Sequence, residues 1–205
     1  MSDQRYRAAA ILALVKTGIV VLMAAAAAFM SALPGWPLAL LTARGFLLVL
    51  AGGMEAFVLL TLRRLLWDRY DFRQADVIIA ILAVASVVLE ILNQLSEAAQ
   101  AVSPGQAGRL VMARILLVII PWGILIIVYA AILLKLPFSE RSLLRPYAYV
   151  NLAAGLLLVS TAAALAAPVL GLLLYPFLLL SEVASSVLLA LAFLRSRETE
   201  QVEFV

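Results

Sequence analysis

Six ionisable residues interrupt otherwise apolar stretches of this chain: Lys16, Arg44, Glu55, Glu90, Arg114 and Glu182. On membrane-insertion scales an Asp, Lys or Arg at the centre of a lipid-embedded helix costs about 2.5–3.5 kcal/mol. A residue kept at such a position must pair with an opposite charge, face water, or give up its own charge. The glutamates are the versatile members, since a carboxyl in that setting can exchange a proton or hold a cation. Lys16, Arg44 and Arg114 are the available counter-charges. One stretch, residues 76–97, concentrates polar groups by spacing: Ser86, Glu90, Asn93 and Glu97 recur at offsets of 4, 7 and 11 and fall on one stripe of a helix. Ala83 and Ile79 continue that stripe, so its polarity fades toward the start of the segment.

Depth along each apolar segment suggests which charges can meet. At about 1.5 Å per residue, Lys16 and Glu55 lie about 10–12 Å from the same side of the membrane. By the same rise, Glu90, Arg44 and Arg114 lie about 9, 9 and 6 Å from the opposite side. The spacing therefore predicts a Lys16–Glu55 pair and an outer cluster of Glu90 with one or both arginines. Glu182 falls near mid-membrane among Ser181, Ser185 and Ser186, with no basic residue at its depth. Without a counter-charge such a carboxyl is expected to be neutral and to be the acid that couples to a proton or cation. The transport and coupling candidates are thus Glu182, Glu90, Glu55, Asn93 and Ser185; Lys16, Arg44 and Arg114 are the pairing candidates. A structural reading stands beside this one, because three positive and three negative charges balance and can simply hold helices in register. Asn151, with Gly155 and Ala162 on its side, reads as a packing face.

These residues sit in a chain of 205 residues that is 66% hydrophobic and 13% charged, with a mean hydropathy of +1.12. Ordinary soluble domains are about 45–50% apolar, so this is the composition of a membrane protein. There is no Cys and no His. That excludes disulfides, thiol nucleophiles, zinc sites built on Cys or His, and imidazole acid–base chemistry. No cofactor, metal site or enzymatic activity is expected. The net charge of +3 comes from residues flanking apolar segments, which points to topology and not to nucleic acid. The first apolar run, Ala8 to Met30, is too long for the ~7–15 residues of a signal-peptide core and contains Lys16, so it reads as a retained span.

The expected architecture is all-α: one transmembrane domain, a bundle of six membrane helices with short loops. The spans are near 8–30, 38–62, 77–96, 110–134, 147–167 and 171–194. The last two follow from length: the 49 residues from Pro146 to Leu194 carry one charge, Glu182, and would make a helix of about 73 Å against a hydrocarbon core of about 30 Å. The chain must turn, and Ala167-Pro168 to Gly171 is the best breaker. Pro121 is expected to kink the fourth span, and Gly52-Gly53 marks close helix packing. Basic residues fall on one side: Arg5 and Arg7, then Arg63, Arg64, Arg69 and Arg73, then Lys135, Arg141 and Arg145, then Arg195 and Arg197. The opposite loops hold Arg109 alone. The positive-inside rule then places both termini in the cytoplasm of a cell membrane. Val84 to Leu89 matches Val183 to Leu188 in part, which is thin support for an inverted repeat. Asp68-Arg-Tyr-Asp71, with Asp76 nearby, resembles the start of the aspartate motifs of intramembrane phosphatidyl- and prenyl-transferases over two or three residues. Phe72 stands where the phosphatidyltransferases need Gly and no second aspartate motif follows, so the segment reads as a solvated loop.

Two functions fit. One is a small transporter or channel for a small solute or ion, with a polar path from Glu97 and Gln94 past Asn93 and Glu90 toward Glu182 and then Glu55. The other is a non-catalytic membrane subunit or adaptor, whose charges pair with partner chains. Beyond the lipid bilayer, the expected partners are that solute and either a second copy or a membrane-protein partner. A homodimer would use the Ala-rich face of the first span or the Gly52-Gly53 surface. The two readings differ in where the charges point: into a cavity, or outward toward lipid.

Overall fold

A computed structural model describes residues 2–31, 38–102, 107–136, 143–164 and 168–202; side chains at several helix ends, Glu97 among them, lie outside the described set. All the regular structure among these residues is helical, as a lipid solvent requires of a backbone that must satisfy its own polar groups. In chain order the elements are α1 (Ser2–Ser31), α2 (Leu38–Tyr70), α3 (Asp76–Val102), α4 (Ala107–Arg114), a π-helical turn (Ile115–Ile119), α5 (Ile120–Leu133), α6 (Leu144–Ala164) and α7 (Pro168–Val202). Five stretches are long and apolar enough to cross a membrane: Gln4–Ala27, Ala43–Tyr70, Asp76–Ser96, Val111–Leu133 and Leu174–Arg195. The helices are those of a multi-pass membrane protein. α6 is not among the five; Arg145, Tyr147, Tyr149 and Asn151 lie in its first half. The expected breaker is where α6 gives way to α7, and Pro168 takes the first helical position, where its missing N–H costs nothing.

The segments form a ring. α1 packs between α7 and α2, α3 against α2 and the α4–α5 rod, and α6 between α5 and α7. Among the described residues no helix touches the one across the ring. Contacts fix neighbouring helices as antiparallel. The Tyr6 hydroxyl donates to Asp68 Oδ2 at 3.3 Å, and the Tyr6 ring stacks on Phe193 with centroids 6.1 Å apart. Arg63 pairs with Asp76 between α2 and α3, and the Tyr129 hydroxyl donates to that of Tyr147 at 3.1 Å between α5 and α6.

These contacts gather at one end, which carries the start of α1, the α2–α3 and α5–α6 connections, and the end of α7. The core is there too. Ala9, Leu62, Leu66, Ile79, Leu133, Leu144, Ala148 and Phe193 are each at most 1% exposed. This dry plug holds most of the basic clusters at its rim, so we call it the basic end. At the α2–α3 connection Asp71 takes φ 45°, a left-handed conformation that Asp tolerates and that ends α2. Phe72 then tucks its ring into the plug.

Farther from the plug, close helix contacts among the described residues are made at glycines. A Cβ on Gly52 would meet the Ser86 carbonyl oxygen at 2.9 Å, whereas Gly53 faces open space. Gly123 and Gly155 lie back to back between α5 and α6: a Cβ on Gly155 would meet the Gly123 carbonyl oxygen at 2.8 Å. Ala9, Ala10 and Ala13 are buried within the chain, so the part of the Ala-rich face expected to serve a dimer is used internally, as is Gly52. Ahead of Pro121, where a kink is expected, the chain makes a π turn. Ile120 N–H donates to the Ile115 carbonyl, five residues back, which redistributes the bonds that a proline would otherwise interrupt.

A paired substitution tests this packing. Gly155→Ala puts a methyl against backbone that cannot move aside and should cost about 1–3 kcal/mol. Gly53→Ala enters open space and should gain about 0.5–1 kcal/mol from helix propensity. Thermal unfolding of the two variants in detergent should therefore shift in opposite directions.

Candidate functional site

Because the ring helices touch only their neighbours, a cavity of about 380 Å³ opens at the centre, above the plug. All six helical rods contribute to its wall. Seven of the eight sequence-selected residues line it: Lys16, Glu55, Glu90, Asn93, Arg114, Glu182 and Ser185. Arg44, on α2, is half-buried and lies outside the lining. The α3 stripe is built as its spacing implied, with Ser86, Glu90 and Asn93 on the cavity wall. Ile79 and Ala83, its apolar continuation, are buried in the plug. The Ser86 hydroxyl donates to the Ala83 and Gly52 carbonyls at 3.0 and 3.2 Å.

At the cavity floor Lys16 holds two acids. Its Nζ lies 2.6 Å from Glu55 Oε2 and forms a second ion pair with Glu182. The first pair is the one depth arithmetic predicted. The second overturns the expectation that Glu182 lacks a counter-charge. The reason is geometric: α1 starts at Ser2 and α7 runs to Val202, beyond the span ends assumed from hydropathy. The Tyr6–Phe193 stack sets the register of the two helices. Lys16 lies ten residues after Tyr6 and Glu182 eleven before Phe193, which places both at about 15–17 Å from that stack. The serines around Glu182 are committed elsewhere. Ser181 donates to the Leu178 carbonyl at 2.8 Å and Ser185 to the Glu182 carbonyl at 3.0 Å. Lys16 is thus the partner of the Glu182 carboxylate among the described residues.

The outer cluster is corrected in the opposite direction. Glu90 Oε1 accepts a 2.7 Å hydrogen bond from Gln94 Nε2, one turn on. Among the described residues no ion pair joins Glu90 to Arg44 or Arg114. Arg114 shares the cavity wall with Glu90. Gln94 itself sits over Gly45 of α2, so the glutamine is fixed by packing and in turn positions Glu90. Asn151 donates to the Tyr147 carbonyl at 2.9 Å within its own helix and lies on the cavity wall.

Sequence reasoning missed the aromatic side chains of the wall, Trp122, Tyr129, Tyr147 and Tyr175. Their signal was available: Trp122 and Tyr129 follow Arg114 at offsets of 8 and 15, broadly one side of a helix. The acidic loop residues do not form a metal site. Asp68 is bound by Tyr6 and Arg64, Asp76 by Arg63, and Asp71 is 93% exposed beside Arg73. No metal-binding cluster of carboxylates occurs among the described residues. The arrangement as a whole offers a small intramembrane chamber, closed at the basic end, with a shared-lysine carboxylate pair on its floor.

No family model, curated protein or solved structure matches the chain.

The floor has an energetic consequence. Lys16→Met leaves two half-buried carboxylates without their cation, and breaking such a pair from one side costs up to about 3–5 kcal/mol. Lys16→Met should lower the unfolding temperature sharply, and Lys16→Met combined with Glu55→Gln and Glu182→Gln should recover most of the loss. Thermal unfolding of the single and triple variants reads this directly; a silent Lys16→Met would show that the lysine bears no such charge load.

Proposed function

We propose that the protein is a small membrane transporter or channel for a small solute or ion, with coupling through Glu182 and Glu90. The observation that carries this reading is the cavity: five of the six intramembrane ionisable residues turn inward onto it. A solute path needs that arrangement. A subunit that recruits partner chains through its charges needs them on its outer surface. The buried plug on one side of the cavity fits one end state of a carrier that exposes its site to one side at a time.

In this reading α6 is the sixth span, held between α5 and α7, and both termini lie in the cytoplasm of the cell membrane. The basic residues of the N-terminus, the α2–α3 and α5–α6 connections and the C-terminal tail support this orientation by the positive-inside rule. The cavity then opens away from the cytoplasm and the plug is the cytoplasmic gate. With both acids ionised, the Glu55–Lys16–Glu182 floor carries one excess negative charge. That excess faces the cavity, where an entering cation offsets it, which makes it a coupling element.

Charge movement on solid-supported proteoliposomes tests the proposal. The screen covers proton, sodium and potassium gradients and small amines, amino acids and sugars. At least one should give a transient well above that of protein-free vesicles, and Glu182→Gln should reduce it at least tenfold. No transient with any of them would contradict a transport role; a transient indifferent to Glu182→Gln would remove that residue from coupling.

A further inference from the structure

The chemistry of the cavity wall narrows the class of ligand. Of its ionisable groups, three are acids (Glu55, Glu90 and Glu182) and two are bases (Lys16 and Arg114), so the wall is one charge negative when all are ionised. The excess sits on the floor, where one lysine serves two carboxylates. Within that triad the side-chain exposures are 8% for Lys16, 24% for Glu55 and 33% for Glu182. Glu182 is therefore the member an entering molecule meets first. Its neighbours Ser181 and Ser185 spend their hydroxyls on the α7 backbone, which leaves its carboxylate open to a second donor.

The remainder of the wall is not that of an ion pore. Apolar side chains such as Leu178, Leu179 and Ile119 make up much of it, together with Trp122 and the tyrosines. Aromatic faces attract cations as well as apolar bodies. No group of carboxylates that could hold a bare metal ion occurs among the described residues, and the polar groups of the wall are interleaved with apolar and aromatic side chains. At about 30 Å³ for each water-sized group, the chamber holds a molecule of about a dozen non-hydrogen atoms.

We propose that the ligand of this cavity is a small amphipathic organic monocation, an ammonium group on an apolar body, which docks its charged head on Glu182. This deepens the transport reading and rests on it. The ammonium takes the place that Lys16 occupies at Glu182, while Lys16 keeps Glu55. The apolar body lies against Leu178, Leu179 and Trp122. Lys16 is then a tethered competitor: it neutralises Glu182 when the cavity is empty and yields it when a cation arrives.

Three matched probes separate charge from shape: 2-phenylethylammonium, neutral 2-phenylethanol and anionic phenylacetate, titrated calorimetrically into the full-length protein in detergent. The ammonium should bind at least tenfold tighter than either of the others. Glu182→Gln should lower its affinity at least tenfold and leave that of phenylethanol unchanged. Leu178→Trp, which fills the chamber without touching a charge, should abolish ammonium binding; thermal unfolding of both variants checks that they fold. Equal affinities, preference for the alcohol or the carboxylate, absence of ammonium binding, or indifference to Glu182→Gln would each overturn the cation assignment. Tight binding of phenylethanol or phenylacetate that Leu178→Trp abolishes would do so while leaving the transport reading intact. Ammonium binding indifferent to Leu178→Trp would place the ligand outside the cavity and remove the cation assignment, with transport still decided by the charge-movement assay.

Discussion

Lys16 shared between Glu55 and Glu182 is the interaction on which the rest of the structure depends. It lies on α1 and binds acids on both of that helix's neighbours in the ring, α2 and α7. In lipid there is little hydrophobic drive to press one apolar helix against another; packing and polar contacts must do it. A buried lysine whose two partners stand on different helices therefore locks three of the ring's rods at a common depth. The same lock sets the floor of the cavity, because a charged triad holds polar groups at that depth.

The asymmetry of the ring follows from side-chain size and polarity. At the basic end, large side chains such as Tyr6, Leu62, Leu65, Phe193 and Tyr129 interdigitate and exclude solvent, and charged pairs at the rim hold the helix ends together. Farther along, contacts rely on glycine and serine, at Gly52 with Ser86 and at Gly123 with Gly155. Such contacts fix two backbones close together at a point and leave the flanking side chains without a partner across the ring. The space so created is the cavity, and the π turn ahead of Pro121 lies along its wall between Arg114 and Trp122.

Much of this was legible in the sequence. Composition settled the class, and the helices lie close to the stretches expected from hydropathy. Offsets of 4 and 7 placed Ser86, Glu90 and Asn93 on one face. Depth arithmetic found Lys16 with Glu55 because both are counted from the basic end, where the helices are anchored. It failed for Glu182, since hydropathy locates where a span leaves lipid and not where its helix stops, and α1 and α7 both run on past that point. It failed for Glu90 for another reason: equal depth does not choose the partner, and the carboxylate is taken by Gln94 one turn along its own helix. Nor does a one-dimensional pattern report enclosed space, so the aromatic wall became visible only once the ring was closed.

The central claim is that α7 presents one face to a water-filled chamber that ends at the plug. The chain has no native cysteine, so single cysteines can be placed along α7 without background and treated with a membrane-impermeant thiol reagent from the side away from the basic end. Labelling should follow the cavity-facing positions Leu178, Ser181 and Ser185 and stop at the buried Ala190 and Phe193. The outward-facing Phe177, Leu180 and Val187 should stay unlabelled in lipid. Uniformly silent cavity positions, or labelling that continues through Phe193, would contradict a chamber closed at the basic end.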